Sequence, residues 1–128
     1  MKRIPLRRKS KSPYRKAVDA ADAALQSYYR AKYPNAKCES CNRKADLRHH
    51  FIPKSRSAFL RYSENNLIPL CVRCHILHHQ FGDARVHARI VLKRGAEWLK
   101  ELLKESRKHL SLTVKLCKEI EQKYKAEI

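Results

Sequence analysis

No apolar run in this chain approaches the ~18 residues that a membrane-crossing helix needs, so nothing in it is expected to span a bilayer. The N-terminus is charged but has no apolar stretch behind the charges, which argues against a secretory leader. No segment beside it carries large apolar residues on one face, as an anchor for an anionic membrane surface requires. Internal repeats and low-complexity tracts are also missing. Glycine is scarce, with only two residues, Gly82 and Gly95, and each falls where a helical pattern ends. Acidic residues are few: 12 Asp and Glu stand against 30 Lys and Arg.

The remaining composition sets the class. A chain of 128 residues fits one domain with a modest core. The formal net charge of +18 favours a polyanion as partner, because each phosphate met by Lys or Arg releases condensed counterions. The plain alternatives are a very soluble protein or one of a ribosome-like environment. Five cysteines, an odd number with C-x-x-C spacing repeated, suit metal binding in a reducing compartment better than a disulfide framework. A cytoplasmic protein of a bacterial, archaeal or phage-infected cell is expected, without a membrane partner.

Residues 1–15 read as a basic arm, since "MKRIPLRRKSKSPYRK" contains no acidic residue and two prolines. Its Arg7, Arg8 and Lys9 are expected to meet phosphate. A helix over about 16–32 follows, stopped by Pro34, with Val18, Ala21, Leu25 and Tyr28 or Tyr29 on its apolar face. Residues 36–82 then change texture, and two short strands, about 47–52 and 67–70, are expected around a loop, followed by a helix from near Val72 to about Phe81. Residues 83–127 continue as helices, with apolar stripes at Trp98, Leu99, Leu102, Leu103 and at Leu112, Leu116, Ile120, Tyr124. Cys117, on the last helix, reads as a small buried hydrophobe.

Cys38 and Cys41 on one turn, with Cys71 and Cys74 on another, have the layout of a structural zinc site. Two intervening residues let both sulfurs of a pair reach one ion at about 2.3 Å, and four thiolates leave no open position. A redox pair or partial disulfides are the alternative. If the helix begins near Val72, His75 and His79 share a face and can hold one cation, with His78 as rival. His49 and His50 are neighbours on a strand and point to opposite sides, so one would be a ligand and the other a nearby base. In the contrasting reading the chain is a zinc-ribbon-like binding module whose histidines are incidental.

The pieces "LRHHFIP", "ENNL" and "LCVRCHILHH", in that order over about 38–81, resemble the zinc-bearing branch of the HNH, or ββα-metal, endonucleases. A looser likeness extends to small phage-type recombination nucleases of that class. The resemblance implies an α+β fold, mainly helical, with a central ββα-metal motif built around the four-cysteine zinc site. It implies His49 as first ligand of a catalytic divalent ion, His75 as the helix ligand and His79 as an additional one. His50 would be the general base, and Asn66, with Asn65 as fallback, would orient it. A nitrogen-rich set departs from the Asp common in the family and leaves the ion open among Mg²⁺, Mn²⁺, Ni²⁺, Co²⁺ and Zn²⁺.

The implied activity is hydrolysis of DNA phosphodiester bonds by nicking, leaving 5′ phosphate and 3′ hydroxyl ends. Lys54, Arg56 and Arg61 in the loop would contact phosphate, which positions a protein with little sequence information, so selectivity would come from branched or single-stranded shape. The chain would act as a monomer or homodimer. A zinc-stabilised nucleic-acid-binding protein without catalysis is the second reading, and a toxin or restriction-type nuclease a third.

Overall fold

The computed structural model describes residues 3–4 and 10–128. Helix α1 (Pro13–Lys32) begins three residues before the expected start. Ser12 caps it, its Oγ accepting from the Arg15 N–H at 3.1 Å, and Pro13 occupies the first turn, where a missing N–H costs nothing. The face formed by Val18, Ala21, Leu25, Tyr28 and Tyr29 is buried, as the periodicity predicts. It lies against the C-terminal helix α5 (Val114–Ala126), which Thr113 caps through the Leu116 N–H.

Two apolar clusters join these helices. Ala17, Val18 and Ala21 meet Cys117 in one, while Leu25, Tyr28 and Tyr29 meet Tyr124 and Leu67 in the other. Cys117 is fully buried, which agrees with its reading as a packing residue. It takes the core-facing position that the expected α5 stripe assigned to Leu116, which is only half-buried.

The sheet has two antiparallel strands, β1 (Leu47–His50) and β2 (Leu67–Leu70), with Leu47 opposite Leu70 and His50 opposite Leu67. Strand β1 is two residues shorter than expected. Beyond His50 the backbone leaves the ladder: the Phe51 N–H donates to the Asn66 carbonyl at 3.0 Å, and the Ile52 N–H turns to the Asn66 side chain at 2.7 Å. Pro53 then has no N–H to continue pairing. The open edge of β1 is held by α1, where the Gln26 amide bonds both the Arg48 N–H (2.9 Å) and the Arg48 carbonyl (2.8 Å) as another strand would.

Helix α2 (Val72–Phe81) follows β2 directly, and Gly82 ends it in the left-handed region at φ 60°, where a Cβ is disfavoured. Helices α3 (Ala84–Arg94) and α4 (Ala96–Glu105) pack behind the motif. Phe51, Leu60, Ile68 and Leu70 share a core with Val86, Ile90 and Leu102, flanked by Trp98 and Leu99. Leu103, expected in the same stripe, is 48% exposed because that face of α4 is turned away from the core. Among the described residues, five helices surround one small sheet, an α+β arrangement. No helix among them is long and apolar enough to cross a membrane.

Candidate active site

The four cysteines are brought together. A tight knuckle carries Cys38 and Cys41, closed by the Cys38 N–H to the Arg43 carbonyl (2.6 Å) and by Asn42 in the left-handed region at φ 65°. Cys71 caps α2 and Cys74 lies in its first turn. All four sulfurs fall within 4.8 Å of one another, and Cys41 and Cys71 are 3.6 Å apart. Sulfurs at the corners of a tetrahedron of about 2.3 Å Zn–S bonds stand about 3.8 Å apart, so the donor set fits zinc.

Burial opposes ionisation at Cys41, but the Arg43 backbone and the adjoining sulfurs outweigh it and bring the thiol down to about 7. Burial drives Cys74 up to about 12, so it needs a cation to become a thiolate. An ion here would tie the segment before β1 to the start of α2. The Arg94–Glu39 pair, with bonds of 2.7 and 2.6 Å, fastens the same knuckle to the end of α3.

A second cluster is built of imidazoles. His49, 2% exposed, points from β1 toward α2, and its ring centre is 5.3 Å from His75 and 5.2 Å from each of His78, His79 and His87. Positions 75, 78 and 79 fall within one ~100° sector of a helix turning ~100° per residue, so all three face the strand. The donor atoms of His49, His78 and His79 lie within 4.8 Å of one another. The sequence reading prefers His79 to His78 as the companion of His75, and the geometry brings both His78 and His79 to His49. His78 completes the closest donor set, while His75, with its ring 4.4 Å from that of His79, stands on the cleft side.

Burial first, and the neighbouring imidazoles second, push His49 down to about 2, which keeps it in the neutral, metal-binding form. Nitrogen donors fit borderline divalent transition ions better than Mg²⁺.

His50 projects differently from its neighbour, as strand alternation requires, and the strand end lets both border one cleft. Its Nε2 lies 2.8 Å from the Arg61 carbonyl oxygen. A carbonyl only accepts, so Nε2 carries the proton and Nδ1 of the neutral ring is free to take one. Burial lowers His50 to about 4, against the raising effect of that carbonyl.

Asn66 is fully buried and spans the loop: its Oδ1 accepts from the Ile52 N–H, and its Nδ2 donates to the carbonyls of Ile52 (3.0 Å) and Leu60 (3.2 Å). It thus holds the loop whose next residue supplies the carbonyl to His50. Asn65, the fallback, is exposed and offers its main-chain oxygen to Trp98.

Among the loop cations, Lys54 lines the cleft, and Arg56 is exposed outside its lining. Arg61 differs from expectation. Its guanidinium is turned inward, bonded by Nε and Nη2 to the Asp22 carboxylate at 3.1 and 2.6 Å, with the Tyr62 hydroxyl on the same carboxylate at 3.0 Å. The carboxylate on α1 competes for the guanidinium that was expected to meet phosphate. Arg7, Arg8 and Lys9 lie outside the described residues.

The cleft, ≈ 750 Å³, is lined by His49, His50, His75 and His79, by Lys54, and by Asp22, Gln26, Arg30 and Arg48. The last four were missed by sequence reasoning, although Asp22, Gln26 and Arg30 recur every fourth residue beside the apolar face of α1. Arg48 lies over the Tyr29 and Tyr33 rings at 4.7 and 5.1 Å, which fixes its head at the cleft wall. His87 was missed as well. Its signal was its place beside Val86 in a helix whose other polar residues, Arg94 apart, are exposed.

No curated protein and no solved structure matches the chain. Residues 38–81, which hold the knuckle, both strands and α2, match the family model described as HNH endonuclease, about a third of the chain. A domain of that family implies nucleic acid as partner, in keeping with the basic charge.

Proposed function

We propose that the protein is a metal-dependent endonuclease that hydrolyses DNA phosphodiester bonds with little sequence preference, nicking one strand per encounter. The observation that carries this reading is the facing of a neutral His50, its Nε2 held by a carbonyl, into the same cleft as the imidazoles of His49, His75 and His79. A divalent ion bound by His49 and His79, together with His75 or His78, would supply Lewis acidity at a phosphate oxygen and charge stabilisation at the leaving 3′ oxygen.

The protein groups do the rest. His50 Nδ1 takes a proton from the attacking water, and the Arg61 carbonyl stabilises the imidazolium that results by accepting from Nε2. Asn66 keeps the loop from moving that carbonyl away. Arg30, Arg48 and Lys54 give the cleft walls their positive charge and would seat the phosphates on either side of the scissile bond. Structure selectivity for branched or single-stranded DNA would follow from the shape of this cleft.

Supercoiled plasmid incubated with the protein and Mg²⁺, Mn²⁺, Co²⁺, Ni²⁺ or Zn²⁺ should be nicked to the open-circular form, with EDTA stopping the reaction. The ends should carry 5′ phosphate. His50→Ala should abolish nicking while DNA binding and zinc content persist. Binding without nicking in every metal would leave the protein as a zinc-stabilised nucleic-acid binder.

A further inference from the structure

We infer that His87, on α3 and outside the segment that matches the HNH family, is a ligand of the ion held by the histidine cluster. The metal centre would then be built by three elements, β1, α2 and α3. This inference rests on the reading of that cluster as a metal site.

The geometry is specific. Nε2 of His87 lies 2.9 Å from Nε2 of His49. Two nitrogens bound to one ion at about 2.0–2.1 Å stand about 2.9 Å apart in adjacent positions of a six-coordinate shell and about 3.3–3.4 Å apart in a tetrahedral one, so the pair has the spacing of adjacent six-coordinate ligands and is a few tenths of an ångström short of tetrahedral ones. The His87 ring is fixed from both sides, stacked on Phe51 at 4.2 Å (18°) and on His78 at 3.9 Å (15°). Its orientation toward His49 is thus set by packing rather than by one hydrogen bond.

A hydrogen bond between His49 and His87 accounts for only part of the cluster. Nδ1 of His78 is buried without a hydrogen-bond partner. Among the described residues, no carboxylate bonds to His49, His75, His78, His79 or His87. Four imidazoles around the 2%-exposed His49, with the donor atoms of His78 and His79 within 4.8 Å of it, the Nε2 of His87 at 2.9 Å and no anion to match, form a site that a cation completes.

Neither His78 nor His87 lines the cleft, whereas His75 and His79 do. His87 therefore closes the protein side of the ion and leaves the cleft side for substrate. An additional imidazole also moves preference further toward Zn²⁺, Ni²⁺ or Co²⁺ and away from Mg²⁺.

The test is metal binding by the full chain, with Co²⁺ and Zn²⁺ alone as probes. The wild-type chain should take up two ions, the first giving the thiolate-to-cobalt charge-transfer band of the cysteine site. His87→Phe, which retains a ring to stack on Phe51, should keep that band and weaken the second ion by at least about tenfold, no less than loss of an outer-shell partner does. His87→Gln should do the same. In wild-type protein, the His87 Nε2 resonance should shift on addition of the second equivalent of Zn²⁺, a readout that needs no variant to fold.

An unshifted His87 resonance, or wild-type affinity in His87→Phe while His49→Ala loses the second ion, overturns the assignment of His87 and leaves the metal reading standing. Failure of the wild-type chain to bind any second ion removes both.

Discussion

The Nε2 of His50 lies 2.8 Å from the main-chain oxygen of Arg61, the residue whose side chain is clamped by Asp22. Strand β1, the connecting loop and α1 are joined through these three residues. The proposed base therefore takes its tautomer from a loop, and the loop takes its position from a helix that lies outside the residues matched by the family model.

Asp22→Asn should loosen that loop. The change leaves Arg61, which is 13% exposed, without its anion, and should cost about 1–3 kcal/mol in urea unfolding. Nicking should slow more than DNA binding weakens, since the affected carbonyl faces His50. Equal loss of both would place Asp22 in substrate binding instead.

Asn66→Ala strips three hydrogen bonds from a fully buried position and leaves the Ile52 N–H and carbonyl unpaired, while the Leu60 carbonyl keeps only the Ser63 N–H. Destabilisation of about 3 kcal/mol is expected, readable as a lower denaturation midpoint with an unchanged m-value. Asn66→Asp should be no better, because a carboxylate faces the two carbonyls that the amide satisfied.

Removal of the cysteine-bound metal should unfasten α2. A strong chelator should lower the melting temperature and reduce helical circular dichroism, and added Zn²⁺ should restore both. Cys38→Ser should bind one zinc ion fewer than wild type, whereas Cys117→Ser should keep the full content, because Cys117 packs between α1 and α5. Loss of zinc in Cys117→Ser would contradict the four-sulfur assignment.

Acid should destabilise the fold through His50. Its folded value, lowered by burial to about 4, lies below the ordinary histidine value of about 6.5. The unfolded chain therefore binds more protons between these limits, and stability rises with pH. The contribution is complete above about pH 6.5 and is lost as pH falls toward 4. Melting temperatures measured from pH 8 to 5 should fall more steeply for wild type than for His50→Gln.

Salt dependence separates the arginines. Arg30→Ala and Lys54→Ala, at the cleft wall, should each reduce the slope of log affinity against log salt by about 0.9 on duplex DNA. A substitution at Arg56, outside the lining, should change it less. An unaltered slope in both cleft variants would move the DNA path elsewhere on the surface.

The elements were legible wherever local chemistry decides them. C-x-x-C spacing places two sulfurs on one turn, Gly82 accepts φ 60° at the end of α2, and alternation separates His49 from His50 on β1. The start of α1 was missed because Ser12–Pro13 was absorbed into a basic, proline-containing arm, although Ser followed by Pro is itself a helix-start signal.

Spacing along the chain therefore determined the sulfur site, the strand–loop–strand–helix order and the set of histidines on α2. Only the tertiary structure decided that Arg61 turns to Asp22, that His78 as well as His79 approaches His49, and that His87 arrives from α3. Each of these joins residues at least 29 positions apart, as the separations 22 to 61, 49 to 78 and 49 to 87 show. Such contacts depend on how whole elements pack, which no local pattern encodes: helix periodicity limits the faces available, and the core selects which face meets which strand.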